Sequence, residues 1–181
     1  MSRGPRVAAV CAAVLVGTLA SLASAKPRWS SGLETAICGT GSSFGFSELG
    51  WCNALRADLL LLRERGSDFG IGPALRVGSA GFDDFRFDAG LSVLLPLLES
   101  FPLVLEAGPH LRNLDQPGVF GSAFFGLRSF NHYGHYDMST GIVVIAQRSF
   151  TTGTRSALWL GARIDGYLFA LPFVLAYNAL R

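Results

Sequence analysis

The chain has 181 residues, of which half are apolar and only 15% are charged, and it contains 22 Gly and 14 Phe. This length is enough for one domain with a sizeable core. The net charge of +2 is too small to predict nucleic acid as a partner. The basic residues are fourteen Arg and a single Lys, Lys26, which favours charges held in buried pairs over charges on a water-facing surface.

The first 25 residues have the pattern of an export signal. Arg3 and Arg6 precede the apolar run VAAVCAAVLVGTLASL, and the small residues ASA at 23–25 form a cleavage site. A retained membrane anchor is the alternative, which the short run and the A-x-A ending disfavour. We therefore expect a cleavable signal over 1–25 and a single domain over 26–181.

Two cysteines, Cys38 and Cys52, remain beyond the predicted signal. Export would place them in an oxidising compartment, where paired cysteines form disulfides. A bridge between them would close a loop of roughly fifteen residues and stabilise the fold by about 3 kcal/mol. Two free thiols are the alternative.

The rest of the chain alternates apolar and polar residues between turn signals, with the period of two that is typical of β-strands. In FRFDAGLSV, residues 85–93, the large apolar side chains fall on one face and Arg86 and Asp88 on the other. Short connections make consecutive strands antiparallel neighbours. Pro73 and Pro109 lie within strands and predict β-bulges. Eight strands are predicted, over about 32–46, 54–65, 69–79, 85–95, 103–112, 119–130, 138–148 and 157–167.

The apolar tail over 170–181 has no clear period. It fits a short helix with Pro172 in its first turn, which is the interpretation we favour. It also fits a last strand entered through a hairpin at Asp165-Gly166, and the first predicted strand would then be a loop. The strand that closes the sheet is therefore either 32–46 or 170–180.

The two faces of the strands differ in a way that predicts which one points inward. An eight-stranded barrel is only just wide enough inside for side chains, so eight rows of Phe, Leu, Ile and Val do not fit there. Glycines concentrate on the polar face, where they would make room for Arg side chains. A mid-strand Arg facing lipid would cost about 2 to 4 kcal/mol. We therefore expect the apolar face to meet lipid and the charges to lie inside.

The inward charges are predicted to pair with one another and to fill the lumen, with Phe124, Trp159 and Tyr167 adding bulk. The predicted members of this network are the charges on the polar faces of the strands: Arg56, Asp58, Arg76, Arg86, Asp88, Glu106, Arg112, Arg128, Arg163 and Asp165.

A signal followed by about eight such strands resembles the small outer-membrane β-barrel proteins of Gram-negative bacteria. The resemblance covers nearly all of the chain beyond the signal and is one of pattern, without a specific motif. It implies an antiparallel up-and-down transmembrane barrel in the bacterial outer membrane, surrounded by outer-membrane lipids and inserted by the barrel-assembly machinery. We expect a monomer. The chain departs from the pattern at Leu180-Arg181, where such barrels commonly end in an aromatic residue that the machinery recognises.

The densest polar cluster is SFNHYGHYDMS, which contains His132, His135, Asp137 and Ser139. A lipid-modifying hydrolase or acyltransferase needs a nucleophile, a base and an orienting group in contact, and Ser139 and His135 are of the right types. We favour the other interpretation, a polar turn at the level of the lipid headgroups. The two His lack further ligands at a recognisable spacing, so neither a metal nor a cofactor is predicted.

The predicted function is a non-enzymatic integral outer-membrane barrel with a side-chain-filled lumen and a structural role. One alternative is a soluble exported barrel in the periplasm that binds an apolar ligand, as lipocalins do. The other is a lipid-modifying barrel enzyme, which comparing lipid A masses with and without the protein would test.

The predicted bridge can be tested on freshly isolated protein. We expect alkylation without reduction to leave Cys38 and Cys52 unmodified in the mass spectrum, and alkylation after reduction to add one group to each. Two alkylated thiols in the non-reduced sample would contradict the bridge.

Overall fold

The computed structural model describes residues 27–42, 47–63, 68–81, 84–98, 100–130, 135–151 and 155–180. The predicted signal over 1–25 lies outside these residues.

Eight antiparallel strands form a closed barrel, and one helix follows them. Each strand pairs with the next along the chain, and β8 pairs with β1 to close the sheet. The predicted eight-stranded, up-and-down antiparallel barrel is therefore confirmed. The elements are β1 (Arg28–Gly41), β2 (Glu48–Leu60), β3 (Gly70–Ala80), β4 (Asp84–Leu98), β5 (Phe101–Arg112), β6 (Gln116–Phe130), β7 (Asp137–Ser149), β8 (Ser156–Asp165) and α1 (Gly166–Ala179).

The closing strand is β1, and the tail is helical. Pairing of β1 with β8 runs from Gly32 opposite Asp165 to Gly41 opposite Ser156. The favoured helix is thus confirmed, but it begins earlier than the tail sequence indicated. Because Asp165 caps the helix and its first residue is Gly166, Pro172 lies inside the helix and not in its first turn.

The prediction of β-bulges at the two mid-strand prolines is wrong. The β3–β4 register is constant through Pro73, and the β5–β6 register is constant through Pro109. On the other side of β3, pairing with β2 stops at Ala74 and resumes in the same register at the bridge between Ile71 and Leu61. Pro73 has no N–H to donate, and the missing hydrogen bond is accommodated by a gap in the β2–β3 ladder. The strand does not contain the extra residue that defines a bulge. The β4–β5 register does shift, between Leu95 and Leu98 near the turn.

Alternate residues point to opposite sides of the barrel wall, with the charged face inward. In β2, Leu55 is 63% exposed whereas its neighbour Arg56 is 3% exposed. The same alternation repeats around the barrel. Buried arginines, carboxylates and hydroxyls therefore line the described part of the barrel interior. Two smaller buried apolar clusters share this interior, one containing Trp159 and the other Phe124.

The inward glycines mainly allow the backbones of neighbouring strands to approach each other closely. Gly126 and Gly141 lie opposite each other on β6 and β7, and a Cβ at Gly126 would lie 2.4 Å from the Cα of Gly141. These residues let two strands approach closely, which differs from the expected role of making room for arginines. Gly32 does fit that expectation, because a Cβ there would lie 3.0 Å from Cγ of Arg163.

Candidate functional site: the ion-pair network of the lumen

The centre of the lumen is organised by Glu106 on β5. Arg56 and Arg76 are directly paired on neighbouring strands, so two like charges face each other across one step of the sheet. Arg56 donates from Nε to Glu106 at 2.9 Å, and Arg76 donates from Nη2 to the same carboxylate at 2.7 Å. The Ser122 hydroxyl also donates a hydrogen bond to Glu106, at 3.0 Å. Glu106 thereby neutralises a repulsion that the register itself creates.

A second buried carboxylate, Glu34 on β1, joins Arg76 to Arg163. Arg76 donates from Nε to Glu34 at 2.6 Å, and Arg163 donates from Nη2 at 2.6 Å. All three side chains are essentially excluded from solvent. Buried charges require such partners, because an unpaired one would carry its full desolvation cost.

The network continues from Arg56 toward the end of the barrel where β1 begins. Asp58 accepts a hydrogen bond from Arg56 at 2.6 Å and two from Arg128, both at 3.0 Å. The bidentate Arg128–Asp58 geometry is among the strongest that a guanidinium makes. Arg128 also reaches Asp137, which forms an ion pair with Arg63 beyond the end of β2.

The network continues from Arg76 in the opposite direction. Asp88 accepts a hydrogen bond from Arg76 at 3.2 Å and one from the amide of Gln147 at 2.9 Å. Nδ1 of His110 lies 2.6 Å from the other oxygen of Asp88. The Asp88 carboxylate therefore has partners from three other strands, β3, β5 and β7.

The last links reach the opposite end of the barrel. Arg86 donates to Gln147 at 2.6 Å and to Asp84 at 2.7 Å, and Arg112 donates to Asp84 at 2.6 Å. The contacts thus form an unbroken chain from Arg63 near one end of the lumen to Arg112 near the other. Polar side chains occupy the whole described length of the interior.

Aromatic rings occupy space beside the arginines. The guanidinium of Arg163 lies 4.2 Å from the ring centre of Phe124, and that of Arg86 lies 5.5 Å from the ring of Trp159. A cation that lies above the face of an aromatic ring is attracted to it, and the attraction is stronger where water is excluded. Phe124 and Trp159 add the predicted bulk to the lumen, but Tyr167 does not, because it belongs to α1 and is 54% exposed.

The predicted disulfide is confirmed, and it lies in the same interior. Cys38 on β1 is bonded to Cys52 on β2, with 5.8 Å between the two Cα atoms. Both side chains are buried beside Trp159. The bridge therefore links two adjacent strands on the inner side of the wall.

Nine of the ten charges predicted for the lumen take part in ion pairs; these are Arg56, Asp58, Arg76, Arg86, Asp88, Glu106, Arg112, Arg128 and Arg163. The tenth, Asp165, has a different role at the rim. Its carboxylate accepts hydrogen bonds from the Tyr136 hydroxyl, the Ser139 backbone and the Tyr167 backbone, each at 2.8 Å. Burial raises the pKa of the Tyr136 hydroxyl above its usual value.

Several members of the network were not among its predicted members: Glu34, Arg63, Asp84, His110, Asp137 and Gln147. The alternation does place His110 and Gln147 on the polar face, but only charged residues were assigned to the network. Glu34 lies in the strand whose alternation is weakest, and Asp84 and Asp137 begin strands next to turns. The signal in the sequence that could have revealed the missing carboxylates is the balance between inward arginines and inward acidic residues. Among the described residues, seven buried or half-buried arginines take part in ion pairs, and they need more carboxylates than the four predicted.

The polar cluster around residue 135 is divided between the lumen and the rim. Asp137 and Ser139 are buried in the lumen, whereas His135 is exposed at the rim. Within the described residues, the Ser139 hydroxyl has no hydrogen-bond partner, so it does not contact His135. His132 lies outside the described residues. Among the residues described, no group of His, Cys, Asp and Glu could hold a metal ion.

The interior leaves little free volume between Arg86 and His110, near the end where Arg112 lies. The recess there, between Arg86, His110, Arg112 and Arg155, measures about 10 Å³. A cavity needs on the order of 10 to 15 Å³ to hold one water molecule. The described side chains therefore fill the lumen between Arg86 and His110, while a second recess of about 260 Å³ stays open beside it at the rim, between Thr40, Trp51 and Asp84.

The chain matches no protein-family model and no curated protein sequence. Among solved structures, it resembles the solution NMR structure of the de novo designed protein TMB2.3, with 11% sequence identity and a TM-score of 0.41. The aligned region covers 77% of this chain and 96% of the designed one. This likeness is too distant to carry a statement about function. In the described part of the chain, no helix is long and apolar enough to cross a membrane.

Removing the central carboxylate should destabilise the barrel. Glu106→Gln keeps the shape of the side chain but leaves Arg56 and Arg76 adjacent and under-neutralised, so we expect unfolding in urea to become easier by about 3 kcal/mol. Glu48→Gln, at an exposed position on the same barrel, is the matched control and should change stability by less than about 0.5 kcal/mol. Equal losses in the two variants would contradict a stabilising role for the network.

The filled lumen also predicts the electrical behaviour of the protein. Because arginines and their partners occupy the interior of an eight-stranded barrel, purified protein in planar bilayers should show no large, steady single-channel current. Bilayers without protein set the baseline. A stable porin-like conductance from a monomer would show that the lumen is not filled in the membrane.

Proposed function

We propose that this protein is an integral β-barrel of the bacterial outer membrane, with a structural, non-enzymatic role and a lumen filled by its own side chains. One observation carries the proposal: the wall is apolar outside and charged inside around its whole circumference. Every strand contributes a large apolar side chain that is between 41% and 63% exposed, namely Ile37, Leu55, Leu75, Leu91, Leu105, Phe125, Ile142 and Leu160.

An outer surface of this kind is suited to lipid. Contiguous exposed apolar patches beyond a few hundred Å² are rare on soluble monomers, whereas this apolar surface surrounds the barrel. In lipid, every backbone polar group needs an internal partner, and a closed barrel provides one because it has no free edge. The same closure supports a monomer.

Strand length and aromatic placement support the same proposal. The strands have 10 to 15 residues, and about 9 to 11 tilted residues are enough to cross a bilayer. Trp29 and Tyr136 pack together at one end, with 4.6 Å between their ring centres, and Trp51 lies exposed toward the other end. Aromatic residues at both ends are typical of the girdles at membrane interfaces.

The alternatives are less well supported. A soluble barrel that carries an apolar ligand would need an apolar cavity inside and a polar surface outside. The described residues have the reverse arrangement, with ion pairs inside and Leu, Ile and Phe outside. A lipid-modifying enzyme would need His135 and Ser139 in contact, whereas His135 is exposed at the rim and the buried Ser139 hydroxyl has no hydrogen-bond partner among the described residues.

The facing of the wall can be tested with neighbouring residues of β4. Leu91 is half exposed on the outer face, so Leu91→Arg should lose about 2 to 4 kcal/mol of stability in lipid and insert poorly into vesicles. Ser92 is buried on the inner face, 3.5 Å from Asp58, so Ser92→Ala should insert almost normally. Insertion is measured by protease protection and by retention in the membrane after carbonate washing. Similar behaviour of the two variants would contradict the proposed facing.

A further inference from the structure

Helix α1 is apolar around its full circumference. None of its fourteen residues, GYLFALPFVLAYNA, is charged, and none is buried. Tyr167 is 54% exposed at its beginning and Phe173 is 67% exposed in its second half. A helix that is apolar on all sides is typical of one surrounded by apolar material, because a helix at a protein surface keeps one polar face.

The start of α1 is fixed to the barrel. Asp165 caps the helix and is itself held by Tyr136 and Ser139. Gly166 lies so close to β1 that a Cβ there would be 2.4 Å from the Ser31 hydroxyl. The helix packs against β1 and β8, so its first turn lies at the seam where the first and last strands meet.

Two open grooves separate α1 from the outer wall. One has a volume of about 450 Å³ and lies between Trp29, Tyr136, Tyr167 and Ala170. The other has a volume of about 620 Å³ and lies between Leu33, Leu55, Leu75, Val77 and Phe169. The second groove is continuous with the apolar outer face of β1, β2 and β3. Whatever surrounds that face also has access to the helix.

We propose that α1 is immersed in the same bilayer as the barrel wall and that lipid acyl chains fill both grooves. The inference rests on the proposed membrane location of the barrel. A partner protein, or a second copy of this chain, would need only one apolar face of α1, whereas every face is apolar. Fourteen residues extend about 21 Å, which is short of the roughly 30 Å of a hydrocarbon core, so α1 enters the bilayer without crossing it.

The immersion can be measured by spin labelling in vesicles of phosphatidylcholine. A nitroxide is attached to Phe173→Cys in a Cys11→Ser background, in which Cys38 and Cys52 remain bridged. Two matched controls carry the same label: Leu91→Cys on the outer face of β4, which is 50% exposed, and Leu114→Cys in the β5–β6 turn, which is 69% exposed. Collision rates with oxygen, which concentrates in lipid, and with a water-soluble nickel chelate report the surroundings of each label.

We expect the label at 173 to behave as the label at 91, with oxygen collisions dominant, while nickel collisions dominate at 114. Dominant nickel collisions at 173, with oxygen dominant at 91, would overturn the immersion of α1 and leave the membrane barrel intact. Low rates with both reagents at 173 would mean that protein covers the helix, which also overturns it. Dominant nickel collisions at 91 would overturn the proposed membrane location itself.

Discussion

The structure depends on one electrostatic constraint, which is that arginines pointing into a narrow barrel must be neutralised there. Arg56 and Arg76 are adjacent in the sheet, and Glu106 from β5 binds both. Without that carboxylate, two like charges would share a dry space in which each already carries a desolvation cost of several kcal/mol. Because the carboxylate comes from a strand that is not adjacent to either arginine, the contact also fixes the curvature that brings β5 across the lumen.

The charged interior and the apolar exterior are two consequences of the same alternation. A barrel of eight strands has a small interior, and arginine is the side chain that can both fill it and form several hydrogen bonds at once. Glu34, for example, binds Arg76 and Arg163 from two other strands. Since the inward charges pair with one another, the outer face is left to large apolar residues. Close approach of strands at Gly126 and Gly141 helps the sheet to close around this interior.

Much of this could be predicted from the sequence, because the period of two determines which side chains share a face. Arg56, Asp88 and Glu106 lie where that alternation places them. The pattern fails where a strand meets a turn, since there the next residue can face either side. Asp137 was therefore assigned to a turn, and Asp165 was assigned to ion pairs although it caps a helix. The sequence also could not predict which charges pair across the lumen, because the pairing depends on the tilt and closure of the barrel.

Asp165 is where the polar interior, the rim and the helix meet. Its carboxylate faces the N-terminus of α1, where the helix dipole is positive and the backbone N–H groups lack partners within the helix. One N–H group at the start of α1, that of Tyr167, is therefore satisfied by the barrel rather than by lipid. The residues at the C-terminal end of α1 are exposed, and the last carbonyls of a helix require water or headgroups when it enters lipid. An immersed α1 must consequently return its end, with Tyr177 and Asn178, to the polar boundary of the bilayer. This requirement follows from backbone chemistry alone, and it restricts the helix to a path that begins at the barrel rim and ends at an interface.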